Sequence, residues 1–518
     1  MSMHKSNGIV KTPMTNRNEF VNKFFKKIWM ALAILIILAA IFSSVFRSLT
    51  PWAKQYKGEV ELHLSQLLGQ PITIQSMETG WYWFHPVIKL EHLTLREGSK
   101  TLHLEQLLIG INLFKSLLHR RLQPGILYIN GMDLVLRDYK GRWQIDGLAK
   151  KDIQSEEMSP ELINNILVLL SQQERLILRH ISARFYFNNG QVIPLNDLKI
   201  SLVNNGGLYK IKADARVNQK LSTQLKFLGD LYFDPDHINI SKGHFYFSGK
   251  HIIVSQWQNF IPQIDEHMET GNADVALWFD VNKGMVSTAQ AQIRLNHLSW
   301  RLLNTKKTQE VPTFYANLEW KKNNQGWQLL GNPIQLSTKK MTWPDNEFSI
   351  LFSKDQNSYT IYIKSIIVES LLSDAINWPT SIKNILNIEP HGILTDTQVV
   401  IKNKQLNYVL SRFDQLGWNG QNDIPQIENL SGVLNWQPNE GHLELDSENT
   451  FITVKNYPTQ KLTLFNGALY WKELSNGLRV SIDRFILNQP ELTISAQGVI
   501  DQVSKNSLGA IRLSLDFT

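Results

Sequence analysis

Two short strings, His103-Leu104-Glu105 and His442-Leu443-Glu444, hold an imidazole and a carboxylate two residues apart. On a strand that spacing puts both groups on one face, where they could begin a zinc site or a general-base pair. Neither string has a third ligand or a nucleophile close by, so a solvated polar strand face is the expectation for both. Asp234, Asp236 and His237 cluster around Pro235, in the manner of turn residues. Gly243 to Lys250 ends in Gly249-Lys250, but the glycines are one residue too far apart for a phosphate loop, and His251 stands where Ser or Thr is needed. No His-Glu-x-x-His, G-x-S-x-G or calcium-loop pattern occurs. With zero cysteines, thiolate metal sites and disulfides are excluded. The 15 tryptophans are scattered singly, which suits core packing and strand pairing better than a sugar platform. The expectation is a protein without catalytic residues, metal or cofactor, and not an enzyme.

The elements that surround these residues are of two kinds. Near the N-terminus, Ile28 to Phe46 is a stretch of 19 residues without a charge. At about 1.5 Å per residue it spans roughly 28 Å as a helix, close to the hydrocarbon thickness of a bilayer. Trp29 and Trp52 lie near its ends, where indole favours the headgroup layer. Ile28, Trp29, Phe46 and Trp52 are therefore the candidate anchor residues. Lys5, Lys11, Arg17, Lys23, Lys26 and Lys27 precede the stretch against a single Glu19, which places the N-terminus in the cytoplasm and the body outside. A cleaved signal peptide is the alternative, but its apolar core would be shorter and end in small residues. The same flank carries most of the net charge of +7; the rest of the chain has 47 basic and 45 acidic side chains. The folded part thus lacks the cation excess of a nucleic-acid surface.

Beyond the stretch the pattern is different. Pro51 opens an amphipathic helix over Trp52–Leu68, stopped by Gly69 and Pro71. An aromatic cluster, Trp81 to Phe84, and the alternating run Val87–Leu95 follow, with a short helical turn at Leu113–Leu118 and a hairpin turning at Asn130-Gly131. Residues 148–160 are a charged loop, and Pro160–Gln172 a helix behind a Ser159 cap. From Leu176 onward strand follows strand, with turn signals such as Asn189-Gly190, Lys283-Gly284 and Asn476-Gly477. Tyr209–Val217 and Ala289–Leu295 alternate strictly, which aligns Ile211, Ala213, Val217, Ala291, Ile293 and Leu295 on apolar faces. A weak repeat of a small residue, Leu and Trp recurs at Ala316–Trp320, Gly432–Trp436 and Gly467–Trp471.

The chain accordingly divides into a cytoplasmic tail (1–22), a transmembrane anchor (23–50), a module of helix plus strands (51–147) and an elongated sheet (148–518). The fold class is mainly β: one N-terminal transmembrane helix, then a long curled antiparallel sheet with a few short helices. On the order of 30 strands at roughly 4.8 Å each would extend near 140 Å. Two readings of the apolar face remain open. It is an open gutter suited to acyl chains, or it is a core packed against a second sheet, the usual fate of alternating strands.

Several motifs, in order, resemble the AsmA-like family. These are Leu68-Gly69-Gln70-Pro71-Ile72-Thr73-Ile74, then Trp81, Pro86 and Leu90 to Leu95, then Leu113 to Leu117, Gly131 to Arg137 and Gly141 to Gly147. Leu416-Gly417-Trp418, Ile424-Pro425, Ile427 and Leu430-Ser431-Gly432 most resemble its YhdP branch. The resemblance implies a periplasmic protein anchored in the bacterial inner membrane, carrying phospholipid toward the outer membrane in an apolar β groove. Its implied partners are phospholipids and the inner membrane, with outer-membrane or periplasmic proteins as further candidates and no nucleic acid. The alternative is a periplasmic scaffold or assembly factor with a closed β core. Members of that branch are typically much longer, and Leu513–Thr518 ends in the style of a mid-strand, so an N-terminal piece, a split gene and a truncated form are the expectations left open.

Overall fold

In a computed structural model, the residues described are 25–34, 36–37, 40–41, 43–44, 55–68, 70–82, 85–98, 100–121, 123–139, 142–147, 173–188, 190, 192–217, 223–234, 239–257, 267–301, 308–339, 342–372, 386–421, 424–475, 477–504 and 507–518. They fall in two compact units, Met1–Asn205 and Gly206–Thr518. At the N-terminus, residues 25–34 are helical, as are 36–37, 40–41 and 43–44. Among the described residues no helix is long and apolar enough to cross a membrane. Ile28 and Trp29 lie in the helical segment with their side chains exposed; Phe46 and Trp52 lie outside the described residues, as does the expected helix Pro160–Gln172.

The first unit contains α1 (Lys57–Leu68), β1 (Ile72–Tyr82), β2 (His85–Glu97), β3 (Lys100–Ile111), α2 (Leu113–His119), β4 (Pro124–Tyr139), β5 (Arg142–Ile145), β6 (Arg175–Tyr186) and β7 (Val192–Asn205). Alternation in β1–β3 points Ile72, Ile74, Leu93, Leu95, Leu102 and Leu104 into one core, with Val60 and Leu64 of α1 packed against it. Helix α1 also closes the edge of the sheet. Ile72 N donates to Ser65 Oγ at 2.9 Å and Ile74 N to Glu61 Oε1 at 2.7 Å, so edge donors that would invite another strand are taken.

Two expectations for this unit are corrected. Asn130-Gly131 does not turn a hairpin. β4 runs straight through it, because β6 pairs in parallel with both halves, from Ile126↔Arg175 to Arg137↔Tyr186. Gly131 instead takes a left-handed conformation (φ 67°), matched by His180 (φ 51°) on β6, and the two irregularities keep the strands in step. The β4–β6 pairing is also parallel, not antiparallel, since the chain crosses over between them after the short β5 pairs on the other side of β4.

The second unit is a single run of consecutive strands: β8 (Leu208–Val217), β9 (Thr223–Asp234), β10 (Asn239–Ile253), β11 (His267–Asn282), β12 (Met285–Arg301), β13 (Thr308–Asn323), β14 (Gly326–Ser337), β15 (Asn346–Ser353), β16 (Ser358–Ile367), β17 (His391–Lys402), β18 (Gln405–Trp418), β19 (Gln426–Trp436), β20 (Glu440–Thr453), β21 (Gln460–Leu474), β22 (Gly477–Gln489), β23 (Leu492–Ser504) and β24 (Ser507–Phe517). Each pairs antiparallel with the next, from β8–β9 to β23–β24. Among the described residues no pairing returns β24 to β8, so the sheet is open. The strands described number 24, fewer than the expectation of about 30, because individual strands run up to 17 residues.

The two rims differ. Connections such as 283–284, 324–325 and 403–404 are tight. The opposite rim has the long ones, including α3 (Val254–Trp257) after β10 and a 3-10 turn, Val368–Leu372, after β16. Single left-handed residues, among them His251, His297, Asp396 and Gln415, mark bulges inside strands. Each bulge bends its strand and steepens the local twist.

An uninterrupted apolar row

Residues paired across an antiparallel ladder share a face, so the register can be followed from strand to strand. Starting at Ile211 on β8, the partners are Gly229, Phe245, Phe279 and Ala289. Trp320, Leu329, Ile350 and Ile361 come next, on β13 to β16. Val399, Val409, Trp436 and Gly441 continue it across β17 to β20. Trp471, Val480, Ile500 and Ile511 complete it on β21 to β24. No member is polar. At about 4.8 Å per strand the 17 members follow a path of roughly 75 Å.

A second row lies two residues along each strand. It runs Ala213, Phe227, Phe247, Leu277, Ala291, Leu318, Gly331, Phe348 and Ile363 to Thr397. From Ser411 it continues Leu434, Leu443, Leu469, Ile482, Gly498 and Leu513. The polar pair in its middle satisfies itself: Thr397 Oγ1 and Ser411 Oγ lie 2.8 Å apart, both buried. A third row includes Ala215, Leu225, Gly249, Val275, Ile293, Ala316 and Ile334.

Aromatic rings spread over the glycines of these rows. A Cβ on Gly229 would meet Phe245, one on Gly331 would meet Phe348, and one on Gly441 would meet the Trp471 indole. The glycines therefore make room for flat rings, which cover backbone that would otherwise face the surface bare. Phe245 stacks between Phe227 and Phe279, with centroids 5.8 and 5.0 Å away.

Exposure separates the two readings of the face. In a sandwich, every second residue of such strands would be sealed by the opposing sheet. Here Ile211, Phe279, Ile293, Leu329, Ile350, Ile361, Val399 and Val480 are all only half-buried. Along most of these rows the apolar face is a partly exposed surface; a buried cluster forms on it around Phe413, Leu430 and Leu445. The other face carries the charged groups among scattered apolar ones: Lys210 pairs with Asp230 at 3.4 Å, and Asp280 accepts from Thr288 Oγ1 and contacts His244 Nδ1, each at 2.6 Å. The hydrogen bond from Thr288, ahead of the one from His244, holds the Asp280 carboxyl below its ordinary range.

The residues singled out in the sequence fall into place as follows. Ile211 belongs to the first row, Ala213 and Ala291 to the second, and Ile293 to the third. Leu295 follows one step further along the same face, paired with Ala273 and Phe314. Val217 shares the face but is sealed, only 2% exposed, beside Thr223. Lys212 and Arg294 point to the opposite, exposed side, and the Arg294 guanidinium lies 5.7 Å from the Tyr315 ring centre. Sequence reasoning missed the row itself. Its signal was the small–Leu–Trp repeat, since Trp320, Trp436 and Trp471 are all members of the first row and Leu318, Leu434 and Leu469 of the second. His103 contacts Thr94 Oγ1 at 3.1 Å, and His442 stacks on Tyr470 with centroids 5.5 Å apart. Among the described residues no group of three His, Asp or Glu could hold a metal ion.

A family model described as YhdP protein matches residues 3–518. A curated relative, the intermembrane phospholipid transporter YhdP of Escherichia coli (strain K12), is 20% identical over 331 residues, 63% of this chain and 25% of that protein. The chain thus spans about a quarter of the length of the curated relative it matches. No solved structure matches.

Proposed function

Because the chain belongs to the YhdP family, we propose that its apolar rows carry the acyl chains of phospholipids between the membranes of a bacterial envelope. The observation that carries this reading is the first row, polar nowhere from Ile211 to Ile511 and, apart from Gly229 and Phe245, at least partly exposed. An acyl chain lying on such a face is stabilised by about 0.8 kcal/mol per methylene removed from water. One polar side chain without a partner would interrupt it at a cost of roughly 1–3 kcal/mol. No chemistry is required of the protein, only continuity. The acyl chains lie along the open face, and the lipid headgroups stay beside it in water.

The finer parts of the proposal rest on the sequence. The uncharged stretch 28–46, with cations ahead of it, serves as a single-pass anchor in the inner membrane, leaving the chain that follows it in the periplasm. Lipid then enters from that membrane and moves toward the outer one. The name of the E. coli relative, an intermembrane phospholipid transporter, agrees with this reading.

Photo-crosslinking in cells tests it. Crosslinkers at Ile211, Ile293 and Ile361 capture phospholipid, whereas those at Lys212 and Arg294 do not. Equal capture on both faces, or none on either, rejects the proposal.

A further inference from the structure

Helix α2 carries an apolar surface that nothing among the described residues of the first unit covers. Phe114, Leu117 and Leu118 are 80%, 81% and 70% exposed. Their spacing of three and four residues puts them on one side of the helix. The helix buries no residue of its own. It is nevertheless firmly built. Asn112 caps its start by accepting from Lys115 N at 2.9 Å, Gln123 N donates to Ser116 Oγ at 2.9 Å, and Lys115 lies 3.7 Å from Glu174. Directly after it stand Arg120 and Arg121, both exposed. Large apolar side chains held out on a fixed platform, with cations beside them, are costly in water and match the boundary of a bilayer with anionic headgroups.

The direction of α1 places this helix at a particular end of the unit. Ser65 contacts Ile72, Glu61 contacts Ile74, and Lys57 Nζ donates to Gln75 O at 3.4 Å. Helix α1 therefore runs antiparallel to β1, and its N-terminal end points toward Tyr82, where β1 ends. α2 lies at that same end: β3 leads into it, and Val87 at the start of β2 pairs with Gly110 just before it. The N-terminus of α1, which the uncharged stretch precedes in the sequence, is thus at the end that carries α2.

We propose that α2 is a membrane foot: Phe114, Leu117 and Leu118 enter the interfacial layer of an anionic bilayer while Arg120 and Arg121 contact its lipid phosphates. It holds the first unit's Tyr82 end down on the surface. The inference rests on the anchor part of the reading above but not on lipid carriage.

The absence of cysteine makes the test direct. Leu117→Cys in the full chain, labelled with an environment-sensitive fluorophore, is reconstituted into vesicles of phosphatidylethanolamine and phosphatidylglycerol carrying lipids brominated near the headgroup. The label is quenched and blue-shifted. The same label at Tyr457, 70% exposed in the second unit, is not. Replacing Arg120 and Arg121 by Glu shifts the inserted fraction toward the free form by at least roughly five-fold per residue. An unquenched label at position 117 overturns the proposal. So does a label already shielded in detergent, as a covering segment of this chain would cause, or shielding that depends on protein concentration, as a second copy would cause. Loss of lipid capture at Ile211 with quenching at 117 intact would count against lipid carriage alone.

Discussion

His391 and Glu428 stand on strands that are not neighbours, β17 and β19, yet His391 Nε2 and Glu428 Oε2 lie 2.6 Å apart. They meet above Gly417 of β18, which pairs with His391. A Cβ there would lie 2.6 Å from the Glu428 carboxylate and would also strike the imidazole. Burial, the largest single influence, would lower the His391 value; the hydrogen bonds to Glu428 and to the Glu389 carbonyl, with the charges of Glu428 and Glu369, together outweigh it and raise it. A raised folded-state value means that the pair contributes fully below the ordinary histidine range and is lost as pH rises through the raised one. With both partners about a third exposed, the contribution is about 0.5–1 kcal/mol. The melting-temperature gap between wild type and His391→Gln should therefore be larger near about pH 6 than near about pH 9. A gap that widens with pH would contradict the assignment.

Gly441 lies between Trp436 and Trp471 in the first row. Gly441→Ala forces the Trp471 ring off its seat and should cost about 1–3 kcal/mol, with a shift in tryptophan emission. Unchanged emission and stability would show that the ring does not depend on the glycine.

Ile361→Asp puts a charge in the middle of the first row at a half-buried position. The sheet should stay folded by circular dichroism while phospholipid copurifying with the protein falls several-fold. Lys212→Asp on the other face should leave lipid content unchanged; equal loss from both would argue for general destabilisation.

Asp146 accepts from Lys100 Nζ at 2.6 Å and from Arg137 Nε at 2.9 Å. Burial alone would raise its carboxyl, but those two hydrogen bonds hold it below the ordinary range. Its contribution is thus present above the ordinary aspartate value and is lost as pH falls through the depressed one. Asp146→Asn should destabilise the protein by about 1–2 kcal/mol at neutral pH, measured by urea denaturation, and the deficit should vanish in strong acid.

Glu61→Ala removes the acceptor of Ile74 N and should cost about 1–2 kcal/mol. Amide exchange at Ile74 should quicken while exchange at Leu104, in the middle of the same core, changes less. Equal acceleration at both positions would mean that the helix does not guard the edge specifically.

Strict alternation was enough to recover the mainly β fold and the common face of Ile211, Ala213, Ile293 and Leu295, because face is a local property of period two. Row continuity was not legible, since it depends on register, and register here is shifted by bulges at residues such as Asp396 and Gln415 that carry no strong turn signal. The sealing of Val217 came from non-local packing next to Thr223 and escaped for the same reason. Asn130-Gly131 misled because a turn dipeptide can also serve as a bulge when a strand on the far side, here β6, keeps both halves in line.

The strict succession of antiparallel neighbours in the second unit gives its gene a parity rule. Removing or duplicating one hairpin leaves each remaining connection on its own rim and every apolar residue on its side. Removing one strand would send all later turns to the wrong rim. Length in this architecture can therefore change only in even steps, and a lineage can tune the reach of the sheet by whole hairpins without redesigning the surface they share.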